Sequence, residues 1–119
     1  NNGKKIILVV DDSMSVFKRL YELIGDNFRV LWARSSNEAF KRIQKQMPHL
    51  ILMSMDLQEQ SGVNGVAKIR SLDAHVPIIG VFERTEYNRF KEALAAGWNE
   101  VMAKPYSLVR LNSIFSRLL

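Results

Sequence analysis

A chain of 119 residues with 47% apolar side chains predicts one domain with a substantial core, and excludes a fibrous or disordered protein. The sequence has no cysteine, which excludes disulfides and thiolate metal sites, and no apolar run of the roughly 18 to 20 residues that a membrane span needs, so we expect a cytoplasmic protein. The net charge of +5 comes from scattered cations that are not interleaved with aromatics, so we do not expect this domain to bind nucleic acid directly.

The first half of the chain alternates between apolar strands and amphipathic helices. Residues 5–10 (KIILVV) are almost wholly apolar, as is typical of a strand covered on both faces. Residues 11–13 (DDS) are typical of a helix entry, and apolar side chains then recur at helical spacing. Residues 28–34 predict a second strand, after which Ser35 and Glu38 fit a capping box that opens a second helix.

Pro48 ends the second helix, and the residues that follow predict a third strand and a third helix. Residues 49–55 (HLILMSM) form the apolar strand. A polar loop is predicted over residues 58–64, with turns permitted by Gly62 and Gly65. A short third helix then carries apolar residues at helical spacing: Val66, Ile69 and Leu72.

The last part of the chain completes the same alternation. Residues 76–82 predict a fourth strand and residues 99–103 a short fifth strand, and Ser107 can cap the last helix. Between these strands, a fourth helix that Gly97 ends carries an apolar stripe: Tyr87, Phe90 and Leu94. Five strands that alternate with five helices predict an α/β fold, a doubly wound five-stranded parallel sheet with helices on both faces.

In doubly wound sheets, the functional site lies at the carboxyl ends of the strands. That rule selects residues by position alone, yet the selected group contains carboxylates and a lysine. The group consists of Asp11, Asp12, residues 54–57, Phe82, Glu83 and Lys104.

Four segments of the chain resemble the receiver domain of response regulators, the CheY-like phospho-acceptor module of two-component signalling. They are ILVVDDS at 7–13, PHLILMSMDLQEQSG at 48–62, VPIIGVF at 76–82 and EALAAGWNEVMAKPY at 92–106. The resemblance covers residues 1–119. It implies a single receiver-like domain of flavodoxin-like topology that belongs to a longer chain and is a signalling module in a phosphorelay, not an enzyme.

The resemblance implies a role for three of the selected residues. Asp11 and Asp12 match the acidic pair that helps to hold Mg²⁺, a cation that prefers oxygen ligands. Lys104, followed by Pro105, matches the lysine that neutralises charge on the transferring phosphoryl group. In the family, a third acid at the end of the third strand accepts that group from a histidine kinase. A hydroxyl on the fourth strand and an aromatic ring on the fifth then respond and reshape the output face.

Three positions of this chain depart from the family pattern. Aligned on Pro48 and Gly62, the acceptor position falls on Ser54. The hydroxyl position falls on Phe82, and the aromatic position falls on Val101. A serine without an adjacent base is a poor nucleophile and offers no charged oxygen to a metal. We therefore predict a pseudo-receiver in which Ser54 is a neutral, hydrogen-bonded residue and which acts mainly through phosphorylation-independent protein–protein interaction.

Two other interpretations stay open. In the first, a one-residue insertion in the loop makes Asp56 the acceptor of an active, Mg²⁺-dependent receiver. We expect instead that Asp56 is a solvent-exposed loop acid, because the family points the side chain at this position away from the site. In the second, the domain binds a small anion or a nucleotide near Lys104.

The loss of the third acid weakens the expected metal site. Ser54 changes the formal charge of the site from about −2 to about −1, counting the ionised Asp11, Asp12 and Lys104. We therefore expect at most weak Mg²⁺ binding by the two acids, and we expect Lys104 to pair with one of them. A purely structural ion-pair cluster is an equal alternative.

Phe82 and Val101 exchange the sizes that the family places on the fourth and fifth strands. We hypothesise that the Phe82 ring fills the volume of the missing fifth-strand ring, because cores do not tolerate voids, and so locks the output face in one state. By analogy with relatives, the face formed by the fourth helix, fifth strand and fifth helix contacts a histidine kinase or an output domain. The residues expected there are Arg84, Tyr87, Met102 and Arg110. A homodimer is left open.

Overall fold

The computed structural model describes residues 3–57, 62–83 and 97–119, and these residues form five strands and four helices. The strands are β1 (Ile6–Val10), β2 (Arg29–Ala33), β3 (Leu50–Ser54), β4 (Ile78–Phe82) and β5 (Glu100–Ala103). The helices are α1 (Met14–Ile24), α2 (Ser36–Lys45), α3 (Gly62–Leu72) and α4, the C-terminal helix (Leu108–Leu118). The C-terminal helix is the fifth helix of the sequence prediction. The predicted fourth helix, with Tyr87, Phe90 and Leu94, lies outside the described residues.

The five strands form one parallel sheet in the order β2-β1-β3-β4-β5. The central strands β1 and β3 are buried along their whole length, as their continuous apolar sequences predict. One face of the sheet is covered by α2 and α3, through Ala39, Ile43, Val66 and Ile69. The other face is covered by α1 and the C-terminal helix, through Leu20, Ile24, Leu111 and Ile114. The predicted doubly wound α/β fold is confirmed.

Serine side chains cap three helices where the sequence predicts a helix start. Ser13, Ser35 and Ser107 each accept a hydrogen bond from the backbone N–H three residues later. Each such cap stabilises its helix by about 1 kcal/mol. The capping box of α2 differs in one detail, because the Glu38 carboxylate accepts from Arg34 N and not from the cap residue.

The start of α3 corrects the sequence prediction. The polar loop was expected to run over residues 58–64, but α3 already begins at Gly62, and Gly65 is helical and does not form a turn. A Cβ at Gly65 would lie 2.5 Å from Met53 Cε and 2.8 Å from Ser36 Oγ. A larger residue here would require the ends of these two side chains to move, because α3 packs closely against β3 and α2.

The parallel arrangement brings the carboxyl ends of the strands to one edge of the sheet. Ser54 is the last residue of β3 and pairs with Val81, and Phe82 ends β4 opposite Ala103. Asp11 follows β1 directly and continues the ladder, since its N–H donates to Ala33 O. The residues that the strand-end rule selected therefore meet at this edge. No helix in the described part of the chain is long and apolar enough to cross a membrane.

Candidate functional site

Lys104 is the centre of the cluster at the carboxyl edge. Its ammonium nitrogen lies 2.9 Å from Asp11 Oδ2, 3.1 Å from Ser54 Oγ and 3.5 Å from Asp56 Oδ2. The lysine side chain is only 9% exposed, so its charge points into the protein. The contact with Ser54 is a hydrogen bond, and the contacts with the two carboxylates are ion pairs.

Three contacts hold Asp11 in place. Its side chain is 2% exposed, Oδ1 accepts from Ser13 N at 2.9 Å, and Oδ2 forms the ion pair with Lys104. The backbone carbonyl of Asp11 accepts from the indole N–H of Trp32 at 2.7 Å. Phe17 stacks on the Trp32 ring with a centroid distance of 4.9 Å, which fixes the indole in turn. Of the two acids expected to pair with Lys104, the buried Asp11 is the one that does.

Ser54 lies buried at the end of the central strand β3 and faces Lys104. Its Oγ accepts one hydrogen bond from Lys104 Nζ and another from Asp56 N, each at 3.1 Å. A hydroxyl oxygen has two acceptor lone pairs, so both are in use. The hydroxyl is therefore hydrogen-bonded within the site, as predicted for a neutral residue at this position.

Asp56 does not follow the expectation that its side chain points away. The residue is exposed, with 35% of its side chain accessible, but its Oδ2 lies 3.5 Å from Lys104 Nζ and accepts from Glu83 N at 3.0 Å. The physical reason is electrostatic, because Ser54 leaves Lys104 without an acid on β3 and the Asp56 carboxylate lies within reach. The site then holds a formal charge of about −2 and not the expected −1, counting ionised side chains at neutral pH.

Asp12 stands apart from this network. Its side chain is exposed and makes neither a hydrogen bond nor an ion pair with any residue that the structure describes. The acidic pair of the sequence is therefore divided, with Asp11 in the interior and Asp12 at the rim.

Phe82 and Val101 lie on the same face of neighbouring strands. Phe82 is opposite Ala103 and Gly80 is opposite Val101, so Phe82 and Val101 are diagonal neighbours across β4 and β5. The partly buried Phe82 packs against the core cluster that contains Val101. That the Phe82 ring fills the volume of the missing fifth-strand ring is still a prediction. The effect on the output face stays a prediction.

The expected contact face needs one correction. Met102 is buried in the core beneath α1 and the C-terminal helix, because it points to the opposite side of the sheet from Val101. It cannot contact a partner. Arg110 is half exposed and lies 3.6 Å from Glu100 Oε1, whereas Arg84 and Tyr87 lie outside the described residues.

Glu100 binds a second arginine of the C-terminal helix. Arg117 donates two hydrogen bonds to the Glu100 carboxylate, and this contact holds the pKa of Glu100 below its usual value and raises the pKa of Arg117. The ion pairs connect β5 to the C-terminal helix.

The turn after Lys104 is also packed against the core. The Lys104–Pro105 peptide bond is cis, and Tyr106 is buried. Burial raises the pKa of the Tyr106 phenol far above its usual value, and the charge of Asp11 adds to this effect. The Arg19 guanidinium donates to the Tyr106 carbonyl at 3.4 Å, which connects α1 to this turn.

Comparison with known sequences identifies the family. The sequence model of the response regulator receiver domain matches residues 7–116. This chain belongs to that family. It is 29% identical over 118 residues to the transcriptional regulatory protein ZraR of Salmonella typhimurium, covering 98% of this chain and 27% of that protein. It is 28% identical over 109 residues to the transcriptional regulatory protein KdpE of Staphylococcus aureus, covering 92% of this chain and 47% of that protein.

Solved structures agree on the fold. The chemotaxis protein CheY4 of Vibrio cholerae superposes with a TM-score of 0.91 at 23% identity, covering 98% of this receiver domain and all of that chain. The receiver domain spans about a quarter to a half of the length of the two curated relatives named above. Receiver domains are generally non-enzymatic signalling domains that interact with histidine kinases and output domains.

Receiver domains typically bind Mg²⁺ at the acceptor site, but the donors in this one are not assembled for it. Asp11 Oδ2 is paired with Lys104, and the neutral Ser54 oxygen already accepts two hydrogen bonds. Asp12, the other acid of the pair, is exposed and lies apart from the Lys104 network. No three acidic or histidine side chains in the described ranges could hold an ion together. The residues present therefore do not fit a complete Mg²⁺ site.

Two contacts at this site have no counterpart in the sequence prediction. The backbone N–H of Glu83 holds Asp56, and the indole of Trp32 holds the Asp11 carbonyl. Glu83 was selected as a strand-end residue, but a backbone donor leaves no signature in side-chain chemistry. Trp32 faces the site because β2 lies beside β1 in register, with Trp32 paired to Val9.

Proposed function

We propose that this receiver domain acts without phosphorylation, as a protein-interaction module of two-component signalling. One observation carries the proposal: three oxygens of the chain lie within 3.5 Å of Lys104 Nζ, and one of them is the hydroxyl of Ser54, the residue that we align with the family's acceptor acid. An incoming phosphoryl group would have to displace one of those oxygens before the lysine could neutralise its charge.

Ser54 is poorly suited to replace the acid as nucleophile. Both of its lone pairs accept hydrogen bonds, and a serine hydroxyl needs an adjacent base to attack. In the described part of the chain, Ser54 Oγ donates to no carboxylate. His49 and His75 precede β3 and β4, at the opposite edge of the sheet.

The interaction would use the exposed side of β5 and the C-terminal helix, where Glu100, Arg110 and Arg117 form a charged group. The relatives named as transcriptional regulators are two to four times longer than this domain, so we propose that it belongs to a longer chain with an output module. A histidine kinase, an output domain and a second copy of the chain are the partners to test.

Treatment with acetyl phosphate and Mg²⁺, followed by intact-mass measurement, tests the proposal. We expect no mass gain for the wild-type domain. Ser54→Asp is the matched positive control, because it restores the acceptor acid while Asp11, Asp12 and Lys104 are kept. A wild-type mass gain of one phosphoryl group under conditions that also modify the control would overturn the proposal.

Phosphorylation of Asp56 is the second candidate, since its carboxylate lies within 3.5 Å of Lys104. Borohydride reduction of an acyl phosphate, followed by peptide mapping, would identify Asp56 directly. The Asp56→Asn variant would abolish that signal. We do not favour this candidate, because Oδ2 already accepts from Glu83 N.

A further inference from the structure

Two donors from different strands converge on one oxygen of Asp56. Asp56 Oδ2 accepts from Glu83 N at 3.0 Å and lies 3.5 Å from Lys104 Nζ. Glu83 is the first residue after β4, and Lys104 is the first residue after β5. We propose that these two donors form an oxyanion site and that the Asp56 carboxylate is its permanent, built-in occupant, which holds the ends of β4 and β5 together as a bound phosphoryl group would.

The donor chemistry is that of an oxyanion site. A backbone N–H and an ammonium aimed at one oxygen form charge-assisted hydrogen bonds and ion pairs, which are stronger than neutral ones. The ammonium is shielded from water, since only 9% of the Lys104 side chain is exposed. Shielding strengthens its attraction for an anion.

The side chain at position 54 determines which group fills the site. An acid on β3 would pair with Lys104 and repel a second carboxylate that approached it. Ser54 is neutral, so the Asp56 carboxylate can approach, and the Ser54 hydroxyl supports this geometry by accepting from Asp56 N at 3.1 Å. The loss of the acceptor acid and the inward position of Asp56 are thus two parts of one arrangement.

A tethered carboxylate competes effectively with free anions. A group attached by a short linker has an effective concentration of about millimolar or more at its binding site. Free phosphate or a phosphodonor therefore has to displace a carboxylate that is covalently attached beside the site. This inference rests on the proposed function in one respect, namely that Ser54 carries no phosphoryl group.

Amide NMR of three variants tests the inference without any phosphorylation assay. In Asp56→Ala, the Glu83 amide proton loses its acceptor and should show one of the largest upfield shifts in the spectrum. In Asp56→Asn, the side-chain carbonyl can still accept, so the shift should be smaller. Asp12→Ala removes the same charge from a rim residue that contacts neither donor, and it should leave the Glu83 amide unchanged.

Titration with inorganic phosphate then tests whether the emptied site binds an oxyanion. In Asp56→Ala, phosphate should return the Glu83 amide resonance toward its wild-type position, whereas the wild-type domain should not respond. The inference is overturned if the Glu83 amide does not shift in Asp56→Ala, if phosphate does not reverse the shift, or if the wild-type domain responds equally.

Hydrogen exchange of the wild-type domain keeps the test independent of how the variants fold. The Glu83 amide should exchange more slowly than an unstructured amide, and exchange at the unstructured rate would overturn the inference. A failure of the proposed function would appear elsewhere, as a phosphoryl mass on the wild-type domain, so the two failures can be told apart.

Discussion

Lys104 and Asp11 form a shielded ion pair, with 2.9 Å between Nζ and Oδ2 and side chains that are 9% and 2% exposed. Asp11 follows β1 and Lys104 follows β5, which are not neighbours in the sheet, so the pair spans the ends of the intervening strands β3 and β4. Ser54, at the end of β3, lies between them in the sheet. Its side chain carries no charge that could compete with Asp11 for Lys104. The pair therefore connects the ends of β1 and β5 across the two strands between them.

Replacement of Lys104 by Met should lower the free energy of unfolding by about 3 kcal/mol, because it leaves the buried Asp11 carboxylate without its counter-charge. Urea unfolding measures the change, and Lys4→Met, an exposed lysine, is the control. The double variant Asp11→Asn, Lys104→Met should recover part of the loss. Equal stabilities of Lys104→Met and the control would contradict the role given to this pair.

Ser54→Asp should create a Mg²⁺ site by returning an acid to the end of β3. We expect Mg²⁺ to bind this variant at least about tenfold more tightly than the wild-type domain, a difference of about 1.4 kcal/mol. The indole N–H resonance of Trp32 reports binding, because it donates to the Asp11 carbonyl. Ser54→Asn has the shape of the variant without its charge and should not gain affinity. Equal affinities for the Asp and Asn variants would refute the electrostatic explanation.

A double-mutant cycle tests whether Phe82 and Val101 share one volume. Phe82→Thr opens a gap and Val101→Tyr overfills the core. Each substitution should lower the free energy of unfolding by about 1 to 3 kcal/mol. The loss of unfolding free energy in the double variant should be smaller than the sum of the two single losses by at least about 0.5 kcal/mol, since each change accommodates the other. Val109→Tyr, on an exposed position, is the control for the added ring. Additive costs would show that the two positions are independent.

The ion pair of Glu100 with Arg117 should make a small, pH-dependent contribution to stability. The Arg117 hydrogen bond lowers the pKa of Glu100 in the folded state, so the stabilisation is complete above the unfolded-state pKa and is lost as the pH falls through the folded-state value. Arg117 is 49% exposed, so solvent and salt screen the pair. The melting temperature of Glu100→Gln should lie below that of the wild-type domain at neutral pH, and the two should converge in acid. Glu22→Gln is the control. A difference that persists unchanged in acid would contradict this assignment.

The fold could be predicted because its signals are local. The apolar runs of β1 and β3, the serine caps and the alternation of strands with helices each depend on residues within one segment. The helical conformation of Gly65 could not be predicted, because a glycine in a polar segment is typical of a turn and its close approach to Met53 and Ser36 involves other elements. The burial of Met102 was predictable in principle, since both faces of the sheet are covered and β5 alternates between them.

The sequence predicts which residues form the core of the site, but it does not predict the direction in which every side chain points. Strand-end positions identify Asp11, Ser54 and Lys104, and the structure brings them together. The direction of the Asp56 side chain depends on the charge of Lys104 and on a backbone N–H of another strand. No sequence pattern near Asp56 carries that information.

In the proposed function, the pocket around Lys104 is closed by the domain's own side chains. A crystal structure of the domain grown with Mg²⁺ and beryllofluoride, a phosphoryl mimic, measures this directly. We predict that no residue captures the mimic and that Lys104 keeps its contacts with Asp11, Ser54 and Asp56. Beryllofluoride bound to Asp56 or Ser54, with Lys104 turned toward it, would contradict the proposed closure of the pocket.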